Sequence, residues 1–240
     1  MQFDAYLSNL PLLHTWDDGR TWNSGGFEPD QLRVLHDFLK DRLAAPPTIV
    51  ETGAGNTTIT LAFLAPARHD VICPDPGVLQ RVRNFCEAAE LPLAHLAIHT
   101  GFSEWILPEL ARPYQTQGPD RDFGLIDGGH NWPTVFVDFF YINAMLRQGG
   151  YLMIDDLQLH SVKELGRLLS EEPGFALECD LGKSLIFRKL TPARQLAEWN
   201  DSPYIKRITA QYMTSANPFA LYPPPSAPPQ APVADAADRK

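Results

Sequence analysis

The chain has 240 residues, 44% of them hydrophobic and 20% charged, with a net charge of −9. That length suits one α/β domain with extensions. The acidic balance, with no dense Lys/Arg cluster, argues against nucleic acid and anionic membrane surfaces as partners. Cys73, Cys86 and Cys179 stand far apart without metal-ligand spacing, so no disulfide framework is expected and a reducing cytoplasm fits. The first residues lack a basic stretch followed by a long apolar run, and no apolar run is long enough to span a bilayer. The expectation is a soluble cytoplasmic protein.

Residues 1–27 read as irregular, with Trp16, Trp22 and the pair Gly25–Gly26. "FEPDQLRVLHDFLKDRL" reads as a helix with Pro29 in its first turn and Leu32, Leu35, Phe38 and Leu39 on one face. Strand and helix signals then alternate. "PTIVETGAG" is a strand running into a glycine turn, and "TTITLAFLA" a helix that Asn56 or Thr57 would cap. "HDVICPD" and "PGVLQRVRNFCEAAE", then "HLAIHTG" and "SEWILPEL", repeat the pattern, as do "DFGLIDGGH" and "NWPTVFVDFFYINAML", the last with Pro133 in its first turn. "GGYLMIDD" is a fifth strand, and "SVKELGRLLSEE" a helix with a Ser161/Glu164 capping box. "FALEC" and "SLIFRKL" close the series as an antiparallel hairpin. The whole predicts an α/β, Rossmann-like, doubly wound and mostly parallel sheet. Residues 1–45 would form an N-terminal segment and helix, 46–190 the main domain, and 191–216 a helical extension interrupted near Pro203; 217–240, rich in Pro and Ala, would be a disordered tail.

Ligands of open parallel sheets bind beyond the carboxyl ends of the strands. There the sequence places Glu51, Gly53 and Gly55, then Asp75, then Gly101 and Ser103, then Asp127 and His130, and last Asp155 and Asp156. "GAG" lets the backbone turn and approach a ligand closely. Thr58 stands where a dinucleotide fingerprint wants a third glycine. Asp75 lies 20 residues past Gly55, which suits a ribose contact, or else a turn between Pro74 and Pro76. Three carboxylates at neighbouring strand ends make a hard, oxygen-rich site suited to Mg²⁺, Mn²⁺ or Ca²⁺. The plainer alternatives are a turn at Asp127, solvated acids at 155 and 156, and a helix-capping His130. Trp16, Trp22 and Trp132 read as packing residues rather than substrate platforms, though an acceptor pocket could use them.

"VETGAGNTT", "TGFSEWILPEL", "DFGLIDGGH" and "LRQGGYLMIDD" together resemble class I S-adenosylmethionine-dependent methyltransferases. The branch they resemble is that of metal-dependent small-molecule O-methyltransferases of the catechol and macrolide-sugar type, over residues 48–189. The resemblance implies that Glu51, Gly53, Gly55, Asp75, Ser103 (with Glu104) and Asp127 bind S-adenosylmethionine. It further implies that Asp127, Asp155 and Asp156 hold Mg²⁺ or Mn²⁺, and that His130 is the catalytic base. Gln148 stands where Pro is common, and the first 45 residues do not align. The acceptor, a sugar or catechol-like hydroxyl, is left open, as is the oligomeric state, a homodimer included. The rival readings are an NAD(P)-dependent oxidoreductase and a non-catalytic cofactor-binding or interaction module.

Overall fold

A computed structural model describes residues 1–214, so the tail expected at 217–240 lies outside the described residues. The chain divides into two compact units, Met1–Ala197 and Glu198–Lys240. In the first, helices α1 (Phe3–Leu7) and α2 (Pro29–Arg42) precede β1 (Thr48–Thr52), α3 (Asn56–Ala62), β2 (Arg68–Cys73) and α4 (Pro76–Ala88). Then come β3 (Leu96–Thr100), α5 (Ser103–Ala111), β4 (Arg121–Ile126), α6 (Thr134–Met145), β5 (Leu146–Ile154), α7 (His160–Glu171), β6 (Phe175–Asp180) and β7 (Leu185–Lys189). In the second unit α8 (Pro203–Met213) begins with Pro203 in its first turn, and the Ser202 side chain accepts from the Ile205 N–H at 3.4 Å. Pro203 therefore opens this helix instead of interrupting one, as suits a residue whose missing N–H costs nothing there.

The seven strands run in the order β3-β2-β1-β4-β5-β7-β6. The first five are parallel, and β7 and β6 are antiparallel, as the alternating signals and terminal hairpin predict. Successive side chains of a strand point to opposite faces, and β1 shows the result. Ile49 faces a core with Leu32, Leu35 and Leu39 of α2, Ile59 of α3 and Val82 of α4. Val50 faces the other core, with Leu107 of α5, Ile142 of α6 and Leu165 of α7. A sheet covered on both faces explains the nearly unbroken apolar strands.

Several local expectations are corrected. The N-terminal stretch is not wholly irregular, since α1 forms and Tyr6 is fully buried, its hydroxyl donating to the Asn56 carbonyl at 2.8 Å. Neither Asn56 nor Thr57 caps α3; Asn56 donates to the Pro11 and Ser24 carbonyls, and Thr57 to Glu51. Pro133 occupies the cap position of α6, one residue before its first turn. The cap position of α7 is Leu159, while the Ser161 hydroxyl donates to the His130 carbonyl. Asn56 and Ser161 give their side chains to carbonyls far along the chain instead of to a local cap.

Candidate active site

Between β1 and β4 the strand order reverses, which puts the crevice of the fold at the carboxyl edge beside the loops that follow them. Gly53, φ +88°, is the hinge of this crevice. A side chain there would stand 2.1 Å from the Asp127 carbonyl oxygen, so the two loops touch only because residue 53 is glycine. Gly55 is different. Its backbone is extended, and a Cβ would meet only the His14 imidazole, at 2.8 Å from Nε2.

Two clefts flank this junction. The first, about 350 Å³, is lined by Gly53, Ile72, Asp75, Val78, Phe102 and Ser103, with Glu104 beside them. The second, about 420 Å³, is lined by Gly55, Phe27, His130, Asp155, Asp156 and Lys183. Five residues border both: His14, Trp16, Ala54, Asp127 and Gly128.

Of the residues expected to bind a cofactor, Gly53, Asp75, Ser103 and Asp127 share the first cleft, and Gly55 lies in the second. One Asp75 oxygen caps α4, accepting from the Gly77 and Val78 N–H groups at 2.7 and 3.2 Å. Glu51 lines neither cleft. It is fully buried beneath the loop, accepting from the Thr57 hydroxyl at 2.6 Å and pairing with His69 Nε2 at 2.9 Å.

The adjacent acids Asp155 and Asp156 separate. Asp156 adopts the left-handed conformation, φ +70°, which Asp tolerates better than most residues. Asp155 points inward, almost fully buried, and receives Lys183 Nζ and the Ser184 hydroxyl. Asp156 turns to the cleft, where His130 Nε2 stands 3.5 Å from it and 3.9 Å from Asp127. The group that converges is thus Asp127, His130 and Asp156, with donor atoms within 4.8 Å of one another. His130 Nε2 is buried and has no hydrogen-bond partner among the described residues. Burial, reinforced by Asp155 and opposed by Lys183, raises the Asp127 carboxyl well above the ordinary range. Lys183, on the β6–β7 turn, answers part of this negative charge. It lies 3.2 Å from Asp156 and 4.1 Å from the centre of the Phe27 ring.

His14 and Lys183 are site residues that sequence reasoning missed, while Trp16, read first as a packing residue, borders both clefts. Trp16, Trp22 and Trp132, expected in packing, are 80%, 42% and 62% exposed. Trp16 stacks on His14 at 6.0 Å and Trp132 on His160 at 6.3 Å.

Residues 50–157 match a family described as a methyltransferase domain. No curated protein matches the sequence significantly. Among solved structures, the O-methyltransferase TomG from Streptomyces achromogenes, involved in tomaymycin synthesis and solved with S-adenosylmethionine, is 19% identical. Its TM-score is 0.58, over 69% of this chain and 82% of that one. A putative caffeoyl-CoA O-methyltransferase from Staphylococcus aureus is 11% identical, with TM-score 0.57 over 80% of this chain and 93% of that one. A putative rRNA-methylase from Clostridium thermocellum is 13% identical, with TM-score 0.53 over 67% and 96%. At these identities the likeness establishes the fold, that of the class I methyltransferases.

Proposed function

We propose that this chain, whose fold and matched domain are those of S-adenosylmethionine-dependent methyltransferases, methylates a hydroxyl oxygen of a small-molecule acceptor with the help of a divalent cation. The observation that carries this reading is the pair of clefts meeting at Asp127. The first has the residues for the cofactor. Ile72, Val78 and Phe102 offer apolar faces to an adenine. Asp75 keeps one oxygen for the ribose, and Ser103 and Glu104 stand at the start of α5. Gly53 and Ala54 bring backbone, without bulk, to the methionine part. Glu51 supports that loop from below through Thr57.

The second cleft holds the acceptor. The orphaned His130 Nε2, set between two carboxylates, fits a cation held by Asp127, His130 and Asp156. A donor set of two carboxylates and an imidazole suits Mn²⁺ as well as Mg²⁺. Such an ion supplies Lewis acidity that eases deprotonation of a hydroxyl. On this reading His130 serves as a ligand rather than the base, and Asp155 braces the site through Lys183 and Ser184. The cleft is small, and the chain's net charge is −9, which favours a compact acceptor over a nucleic acid.

Calorimetry tests this. S-adenosylhomocysteine should bind and NADH should not. Asp156→Asn should weaken Mn²⁺ at least about tenfold, the scale of losing support around a bound metal, and leave S-adenosylhomocysteine affinity unchanged. Equal Mn²⁺ affinity in the variant would remove Asp156 from the site; binding of NADH alone would turn the reading toward an oxidoreductase.

A further inference from the structure

A methyl group passing from the first cleft to the second must cross the border between them. That border is framed by His14, Trp16, Ala54, Asp127 and Gly128. Ala54 and Gly128 carry no chemistry, and Asp127 is assigned to the cation. The remaining proton-accepting side chain is His14.

The imidazole is built into this position. Two glycines from separate segments make room for it: a Cβ at Gly55 would lie 2.8 Å from His14 Nε2, and one at Gly25 would lie 3.2 Å away. The backbone of His14 bridges Asn23 in both directions, at 3.0 Å each. Arg81 Nε donates to the Leu13 carbonyl at 2.7 Å, and Asn56 ties down Pro11 and Ser24 on either side. Trp16 stacks on the ring at 6.0 Å, 14° from parallel. With its backbone pinned and its side chain spared any hydrogen bond to the described residues, the ring is fixed in place while its nitrogens are left for a ligand.

We propose that His14 is a catalytic residue of the transfer, accepting the proton of the acceptor hydroxyl at the border of the two clefts. The proposal rests on the methyltransferase reading above. In the step, an electron pair of the acceptor oxygen forms the new O–CH₃ bond. The S–CH₃ pair stays with sulfur as S-adenosylhomocysteine leaves, and the hydroxyl proton passes to an imidazole nitrogen of His14, then to solvent. Burial, and behind it the charge of Arg81, lowers the His14 pKa against the opposing pull of Asp75, so the ring is unprotonated at neutral pH and has a nitrogen free to accept a proton.

Two measurements decide it. The His14 Cε1–H resonance, identified among seven histidines by its loss in His14→Asn, should shift when S-adenosylhomocysteine binds and broaden when Mn²⁺ is added. Methyl transfer to 3,4-dihydroxybenzoate, used as a hydroxyl probe, should fall about a hundredfold in kcat in His14→Asn, the usual scale for a general base. S-adenosylhomocysteine affinity and Tm should stay at wild-type values, and added imidazole should restore part of the turnover of His14→Ala. A resonance that ignores both ligands overturns the proposal. So does a variant that keeps wild-type kcat, or one that loses kcat only together with cofactor affinity and Tm. If the wild-type protein itself fails to bind S-adenosylhomocysteine, the methyltransferase reading is what has failed, and His14 falls with it.

Discussion

Asp155 and Asp156 are neighbours in sequence and opposites in role. With Asp156 in the left-handed conformation, Asp155 is buried against Lys183 and Ser184 at the floor of the cleft, while Asp156 is the more exposed of the two and faces His130. Two glycines of the first loop divide in a similar way, and that division is testable. In Gly53→Ala the new methyl would combine a forbidden φ with a clash against backbone, at 2.1 Å from the Asp127 carbonyl. Backbone cannot yield as a side chain can, so the variant should lose about 1–3 kcal/mol of stability and its affinity for S-adenosylhomocysteine. Gly55→Ala meets only the His14 ring, on an extended backbone that any residue adopts. Its urea midpoint should stay close to wild type while turnover falls. Equal loss of stability in the two variants would show that the geometry of the loop has been misjudged.

At the scale of elements, most of the sheet was legible. Each parallel strand is a short apolar run because both of its faces are covered, and the closing hairpin declared itself by paired strands around Gly182. Caps were read less well, because a Ser or Asn before a helix announces a local bond that a distant carbonyl can take instead. Ser161 gives its hydroxyl to His130, 31 residues away, and Asn56 reaches Pro11, 45 residues away. Asp127, His130 and Asp156 were found as strand-end residues, but the exchange of Asp155 for His130 in the converging group depends on one backbone angle that no periodicity encodes. Asp138 was missed altogether. It lies inside α6, fully buried, with neither oxygen in a hydrogen bond of good geometry among the described residues. Burial pushes its carboxyl up to about 6, against the pull of the nearby Ser103 and Thr52 hydroxyls. A raised carboxyl pKa means the folded protein holds the proton more tightly than the unfolded chain. Stability therefore falls as pH climbs from 3.8 through about 6, by about 3 kcal/mol for a shift of this size. Asp138→Asn should remove that fall, so its advantage over wild type should be larger at pH 7.5 than at pH 4.5 in denaturant titrations. Parallel pH profiles would show that Asp138 ionises freely.

For the whole of the first unit, the N-terminal strap is what completes the site. Residues 14–27 belong by sequence to a segment before the sheet, yet His14 and Trp16 border both clefts and Phe27 lines the second. The strap is held by contacts that span long stretches of chain: Leu13 to Arg81, Pro11 and Ser24 to Asn56, and the Phe27 ring to Lys183. Such contacts leave little trace in local pattern, which is why the segment read as irregular. They also make the strap sensitive to the cofactor. The Gly53–Asn56 loop that would cradle the methionine part is the same loop that Asn56 ties to the strap, so ordering one should order the other. In hydrogen exchange, S-adenosylhomocysteine should slow the amides of residues 11–24 as well as those of the glycine loop. Mn²⁺ alone should protect chiefly the loops carrying Asp127, His130 and Asp156. In Asn56→Ala the glycine loop should still be protected by S-adenosylhomocysteine, while protection of residues 11–24 is lost. If S-adenosylhomocysteine binds but residues 11–24 exchange as in the free protein, the strap lies outside the cofactor site and His14 is left without a place in the reaction.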